Sequence, residues 1–165
     1  MRRNIVFIGM MGTFKTATAE RVAAALRMPL VDTDAVFEQR FMPIDAYFAA
    51  HGETAFREEE SRIVAEVAAS ENTVISCGGG AVLRRENVDA LKTRGVVVLL
   101  TASDEAIIAR VGKAETRPLL KADVENNVRR ISAARRGLYA ACADITVDNT
   151  DSTVDDCCAR VLAAL

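Results

Sequence analysis

A single histidine, His51, stands in 165 residues, so histidine-based catalysis and zinc binding have little to work with. The four cysteines (Cys77, Cys142, Cys157 and Cys158) lack metal-ligand spacing, and the adjacent last two, on an expected helix, cannot face one partner. Reduced thiols in a cytoplasmic protein are the expectation. Positive charge is not in excess: a formal net charge of −2 and a pI near 5.5 argue against nucleic acid as the main partner. Small anions met by local arginines stay possible. No apolar run is long enough for a membrane span, and the one behind Arg2 and Arg3 is too short for a signal peptide. Repeats, low-complexity tracts and linkers are also missing. With 50% hydrophobic residues, the expectation is one domain over 1–165, monomeric and without a membrane partner.

What the chain does have is alternation. Val- and Ile-rich runs at 4–8, 29–31, 73–77, 95–100 and 144–147 are mostly unbroken by polar residues, as in strands covered on both faces. Between them lie helical patterns at 16–27, 34–41, 44–50, 54–69, 85–92, 104–110, 123–142 and 154–165. Five strands with crossover helices predict an α/β fold, a doubly wound parallel sheet. The helical stretches between the second and third strands look like an insertion over the sheet's ligand edge. The polar segment 111–119 looks like a loop able to cover a ligand.

The first apolar run leads into Gly9-Met10-Met11-Gly12-Thr13-Phe14-Lys15-Thr16. An apolar strand, a glycine-bearing turn and Lys-Thr opening a helix build a nest of N–H groups for a nucleotide's phosphates. Lys15 would reach the terminal phosphates and Thr16 the Mg²⁺ that rides on them. Gly9 and Gly12 alone would also suit a plain tight turn. The pattern expects glycine at position 14, where this chain has phenylalanine. If the backbone there needs a positive φ, a bulky residue costs on the order of 1–2 kcal/mol, and a ring beside the phosphates would add a steric cost.

The second strand ends Val31-Asp32-Thr33-Asp34, which brings two carboxylates to the crevice end of a parallel sheet. One suits a Mg²⁺ site and the other a base near an attacking hydroxyl, although Asp34 would also serve as a helix cap. The third strand ends in Gly78-Gly79-Gly80, which brings the backbone close to a neighbour or makes a flexible turn. Arg57 sits beside Glu58-Glu59-Glu60, by default an exposed ion-pair face. With Arg117, Arg135 and Arg136 it could supply forked donors for a carboxylate and a phosphate.

In order and spacing these motifs resemble the shikimate kinase family over nearly the whole chain, from Ile5 to about Val147. The pieces are Ile8-Gly9-Met10-Met11-Gly12, Asp32-Thr33-Asp34, Gly52-Glu53 with Phe56-Arg57 and Glu60, the triple glycine, Arg110, Arg117-Pro118-Leu119-Leu120, and Arg135 with Tyr139. The resemblance implies a three-layer P-loop kinase fold of the nucleoside-monophosphate-kinase type. It also implies a substrate-binding helical segment at about 33–61, a lid at about 111–120, and γ-phosphoryl transfer from ATP to the 3-hydroxyl of shikimate.

Carried over by resemblance, Gly9, Met11, Gly12, Thr13, Phe14, Lys15, Thr16, Ala17, Arg110 and Arg117 bind nucleotide, with Arg110 against adenine. Thr16 and Asp32 hold Mg²⁺. Asp34 binds the substrate hydroxyls and is the base, and Lys15 and Arg117 act on the moving phosphate. Arg57 and Arg135 clamp the carboxylate, while Gly78, Gly79 and Gly80 approach the ring. Departures cluster in the loop: Phe14 for glycine, Ala17 for threonine and Ala19 for glycine. Two readings follow, an active kinase whose Phe14 points outward, and a shikimate-binding protein with weak or absent kinase activity. Retention of Lys15, Thr16, Asp32, Asp34 and Arg117 favours the first. A sister enzyme such as gluconate kinase would not require Gly-Glu-x-x-Phe-Arg together with the triple glycine.

Overall fold

The structure is a computed structural model and describes residues 3–112 and 123–165. Alternation along β1 (Asn4–Ile8) builds the layers. Successive side chains of a strand point to opposite faces. Ile5 and Phe7 therefore pack with Ala19, Val22, Cys157 and Val161, from α1 (Lys15–Leu26) and α7 (Val154–Ala164). Val6 and Ile8 join the opposite core with Phe37, Ile63, Leu91, Ile107 and Ile131. Those residues come from α2 (Thr33–Arg40), α3 (Ile44–Ala68), α4 (Arg85–Arg94), α5 (Asp104–Val111) and α6 (Val124–Cys142). The result is the three-layer arrangement expected from the unbroken apolar strands.

The remaining strands are β2 (Leu30–Asp32), β3 (Val74–Ser76), β4 (Gly95–Thr101) and β5 (Ile145–Asp148). All pairings are parallel, in the order β2-β3-β1-β4-β5. The chain moves outward on one side of β1 and later returns to the other, so the loop after β1 lies at the switch point where such sheets bind ligands. Asp32 is in register with Ser76 at the same carboxyl edge.

The two helical patterns at 44–50 and 54–69 are joined in α3, interrupted at Gly52 (φ 85, ψ 171). The break falls where the sequence put it, because that φ is one L residues rarely adopt. α2 begins at Thr33, one residue earlier than expected. Of the expected lid, the structure describes Val111, the last residue of α5, and Gly112. The rest of the lid, with Arg117, lies outside the described residues. Among the described residues, no helix is long and apolar enough to cross a membrane.

Candidate active site

A cleft of about 740 Å³ opens at the carboxyl edge of the sheet. One half of it begins with the β1–α1 loop. Gly12 (φ 76) and Phe14 (φ 60) are both left-handed, the alternation that turns successive N–H groups toward one point. No side chain caps α1, which leaves its first-turn N–H groups to a ligand. The Thr13 hydroxyl and Lys15 Nζ both donate to the Met10 carbonyl, at 2.7 and 2.8 Å. Gly9 and Thr13 are buried and shape the loop from beneath. A Cβ at Gly9 would stand against the Leu100 carbonyl.

The positive φ at position 14 is therefore present, and the phenylalanine adopts it. Its ring lies 4.1 Å from Arg110 Cζ. The left-handed backbone costs on the order of 1–2 kcal/mol. A cation–π contact contributes about 0.5–2 kcal/mol. The two are of one order, so the ring's seat offsets most of the strain. Arg110 is in turn fully engaged at its two terminal nitrogens. Nη1 donates to Gly12 O and Asn149 Oδ1, and Nη2 donates to the carbonyls of Asn149 and Thr150. Asn149, which holds Arg110 and the Thr13 carbonyl, carries no signal of that role in the sequence, where Asp148-Asn149-Thr150 reads only as a turn.

Next to the loop, Thr16 Oγ1 donates to Asp32 Oδ2 at 2.9 Å and lies 3.3 Å from Ser76 Oγ. The cap of α2 is Asp32 rather than Asp34: its Oδ1 accepts from the N–H groups of Asp34 and Ala35. One carboxylate thus anchors the helix with one oxygen and faces the loop hydroxyl with the other. Three hard oxygens suit Mg²⁺, which keeps few protein ligands beside phosphate and water. Among the described residues, no cluster of three His, Cys, Asp or Glu could hold a metal. Ser76 carries no signal in the sequence beyond its place at the end of a strand, two residues before Gly78.

The other half is built on α2, α3 and the glycine turn. Asp34 is freed from capping and sits in the first turn of α2. Burial first, then the charges of Asp32 and Glu60, push its pKa up to about 6 against the pull of Lys15 and Arg57. Arg57 lies on α3 with its back to solvent, 8% exposed, not on an open ion-pair face. Its Nη1 donates to Glu60 Oε2 at 2.8 Å and its Nη2 to Glu53 Oε1 at 3.3 Å. Burial raises the pKa of Glu60 while Arg57 opposes the shift. Arg57 Nε and Glu60 Oε1 find no hydrogen-bond partner among the described residues. Buried polar atoms of that kind call for a ligand or water.

The triple glycine has a steric cause. A Cβ on Gly78 would stand against Asp34 Oδ1, and one on Gly80 would occupy the Arg57 guanidinium. These glycines make room for the Asp34 and Arg57 side chains themselves. The turn is held by Thr33 Oγ1, which accepts from Gly78 N, and by Tyr139 OH, which donates to Gly79 O at 2.6 Å. Arg135 is buried and lines the cleft with Arg57. Arg136 faces the outside, where its Nη2 donates to Asp104 and Ser132. Phe48 and Phe56 form an apolar wall. Cys77 is buried at the floor, and its thiol is pushed far up by burial and the nearby carboxylates, so it stays neutral.

The sequence model of a family described as shikimate kinase matches residues 11–165. A shikimate kinase of Pelotomaculum thermopropionicum is 40% identical over 162 residues, covering 97% of this chain and 94% of that one. A shikimate kinase of Caldicellulosiruptor saccharolyticus is 44% identical over 151 residues, covering 90% and 87%. Among solved structures, shikimate kinase from Acinetobacter baumannii in complex with shikimate superposes with a TM-score of 0.96 at 29% identity, covering 99% of this chain and 93% of that one. A gluconokinase from Sinorhizobium meliloti, TM-score 0.66 at 18% identity over 99% of this chain and 92% of that one, shares the fold.

Proposed function

The chain belongs to the shikimate kinase family, and from that premise we infer that it transfers the γ-phosphoryl group of ATP to the 3-hydroxyl of shikimate. One observation carries the reading: a single cleft joins Gly12 and residues 14–17 of the phosphate loop to Asp34, Arg57 and Arg135. Phosphoryl transfer depends on alignment and charge neutralisation more than on covalent chemistry from the protein. Lys15 and the first-turn N–H groups of α1 hold the terminal phosphates. Asp34 accepts the hydroxyl proton as that oxygen bonds to the γ-phosphorus and the bond to the bridging oxygen of ADP breaks. Its position in the cleft and its raised pKa support this role, since a base near 6 is ionised at neutral pH yet still takes a proton. Arg57 and Arg135, buried and cationic, pair with the carboxylate of shikimate. Arg117 neutralises the transferring group, a role that rests on its sequence motif. Thr16 and Asp32 would hold Mg²⁺, which when bound neutralises charge on the phosphates.

The alternative, a shikimate-binding protein without kinase activity, rests on Phe14 crowding the phosphates. The ring's seat on Arg110 argues against it. Four unpaired thiols, three of them buried, support a cytoplasmic setting. The deciding experiment follows ADP release with ATP, Mg²⁺ and shikimate, with the product identified by mass. Shikimate-dependent ADP release with one added phosphate is expected. Calorimetric binding of shikimate without ADP release would favour the binding protein, and turnover on gluconate alone would overturn the substrate.

A further inference from the structure

The phosphate loop is tied at three consecutive residues, to Arg110 of α5 at two of them and to Asn149 in the turn that follows β5 at the third. The Gly12 carbonyl accepts from Arg110, the Thr13 carbonyl accepts from Asn149 Nδ2, and Phe14 stacks on Arg110. Only the tie at 14 is made by a side chain of the loop. Arg110 makes four hydrogen bonds, one to Gly12 and three to Asn149 and Thr150. Its terminal nitrogens are thus turned to the protein, and what it offers a ligand is the plane of its guanidinium. The guanidinium carbon lies over the Phe14 ring, 4.1 Å from its centre, and both residues line the cleft. Edge bonds fix where the guanidinium sits, whereas a face contact resists its tilting.

We propose that Phe14 is a positioning residue for ATP: its ring sets the plane of Arg110, and with it the wall of the cleft along which the nucleotide lies. The proposal rests on reading this half of the cleft as the ATP site. It gives the departure at position 14 a function. Glycine would take the same backbone conformation without strain, but would leave Arg110 held by its edge alone.

Steady-state kinetics on the parent, Phe14→Tyr, Phe14→Leu and Phe14→Gly test it, with Phe14→Leu repeated in an Arg110→Gln background. Phe14→Leu, which keeps bulk but loses the aromatic face, is expected to raise KM for ATP about three- to tenfold. KM for shikimate should hold, and Phe14→Tyr should keep the parent value. Phe14→Gly should also raise KM for ATP despite its relaxed backbone. In the Arg110→Gln background, Phe14→Leu should add nothing further. A lower KM for ATP in Phe14→Gly would make the ring an obstruction. An equal Phe14→Leu effect in both backgrounds, or an equal rise in KM for shikimate, would also overturn the proposal. Should the parent fail to turn over ATP with shikimate, the functional reading falls. The same variants titrated calorimetrically with a non-hydrolysable ATP analogue would still decide the role of Phe14.

Discussion

At the scale of single residues, Asp34 and Asp32 show how position divides two identical side chains. Asp32 is tied down by two backbone N–H groups, while Asp34, two residues on, is pushed up to about 6 by burial and by neighbouring carboxylates. A base in the free enzyme shows itself in kcat/KM. The value for shikimate should therefore fall tenfold per pH unit below about 6, and a profile flat down to pH 5 would remove Asp34 as the base. Asp34→Asn should keep nucleotide binding and lose about 10²–10⁴-fold in turnover, since an amide cannot accept the proton. Loss within a few-fold would assign the carboxylate to binding only. Arg57→Ala should weaken shikimate binding by roughly 2–5 kcal/mol with ATP binding unchanged, because it leaves a desolvated carboxylate unpaired. Calorimetry reads both affinities, and an unchanged shikimate affinity would remove Arg57 from the clamp. The pairing of Asp32 and Asp34 was legible in the sequence. Which of them caps α2 was not, because capping depends on where the helix begins, and that is uncertain by a residue from pattern alone.

Among elements, the glycine turn after β3 was legible as a close approach but not for its cause. No left-handed φ occurs at residues 78–80, so backbone freedom does not explain the run. The explanation lies in α2 and α3, whose Asp34 and Arg57 occupy the space that side chains at 78 and 80 would fill. Such contacts join residues far apart in the chain, and no local pattern carries them. Gly80→Ala should displace the Arg57 guanidinium and raise KM for shikimate at least about tenfold, the order of one lost charged contact. KM for ATP should not change. If both Michaelis constants rose together, the turn would be supporting the whole cleft. Gly52 makes the opposite case. A Cβ there meets nothing within 4 Å, yet the φ of 85 strains any L residue. Gly52→Ala should lower stability by about 1–2 kcal/mol in denaturant unfolding, from backbone strain alone. Stability within a few tenths of the parent would mean that α3 tolerates a straighter path. This break was legible, because glycine at a helical interruption is a local signal.

For the whole molecule, the five apolar runs were enough to read a parallel sheet between helical layers, since strands buried on both faces carry few polar residues. Their order was not legible. It rests on pairings such as Asp32 with Ser76 that only the folded sheet creates. That pairing also gathers Asp32, Asp34 and Glu60 around one cleft, where Asp34 is held in a state that folding disfavours. A carboxyl whose pKa rises from 3.8 to about 6 binds its proton more tightly folded than unfolded. At pH 8 it is ionised in both states, and the folded protein bears the full cost of that buried charge. As pH falls through about 6 the folded state takes up the proton first, and the cost vanishes by about 4. Asp34→Asn should therefore stabilise the fold at pH 8 by on the order of 2–3 kcal/mol relative to its effect at pH 4. Urea unfolding of parent and variant at both pH values measures this difference, and the comparison cancels any packing change that does not depend on pH. A variant equally displaced from the parent at pH 4 and pH 8 would mean that Asp34 ionises normally in the folded protein. It would then lack the tuning proposed for a base.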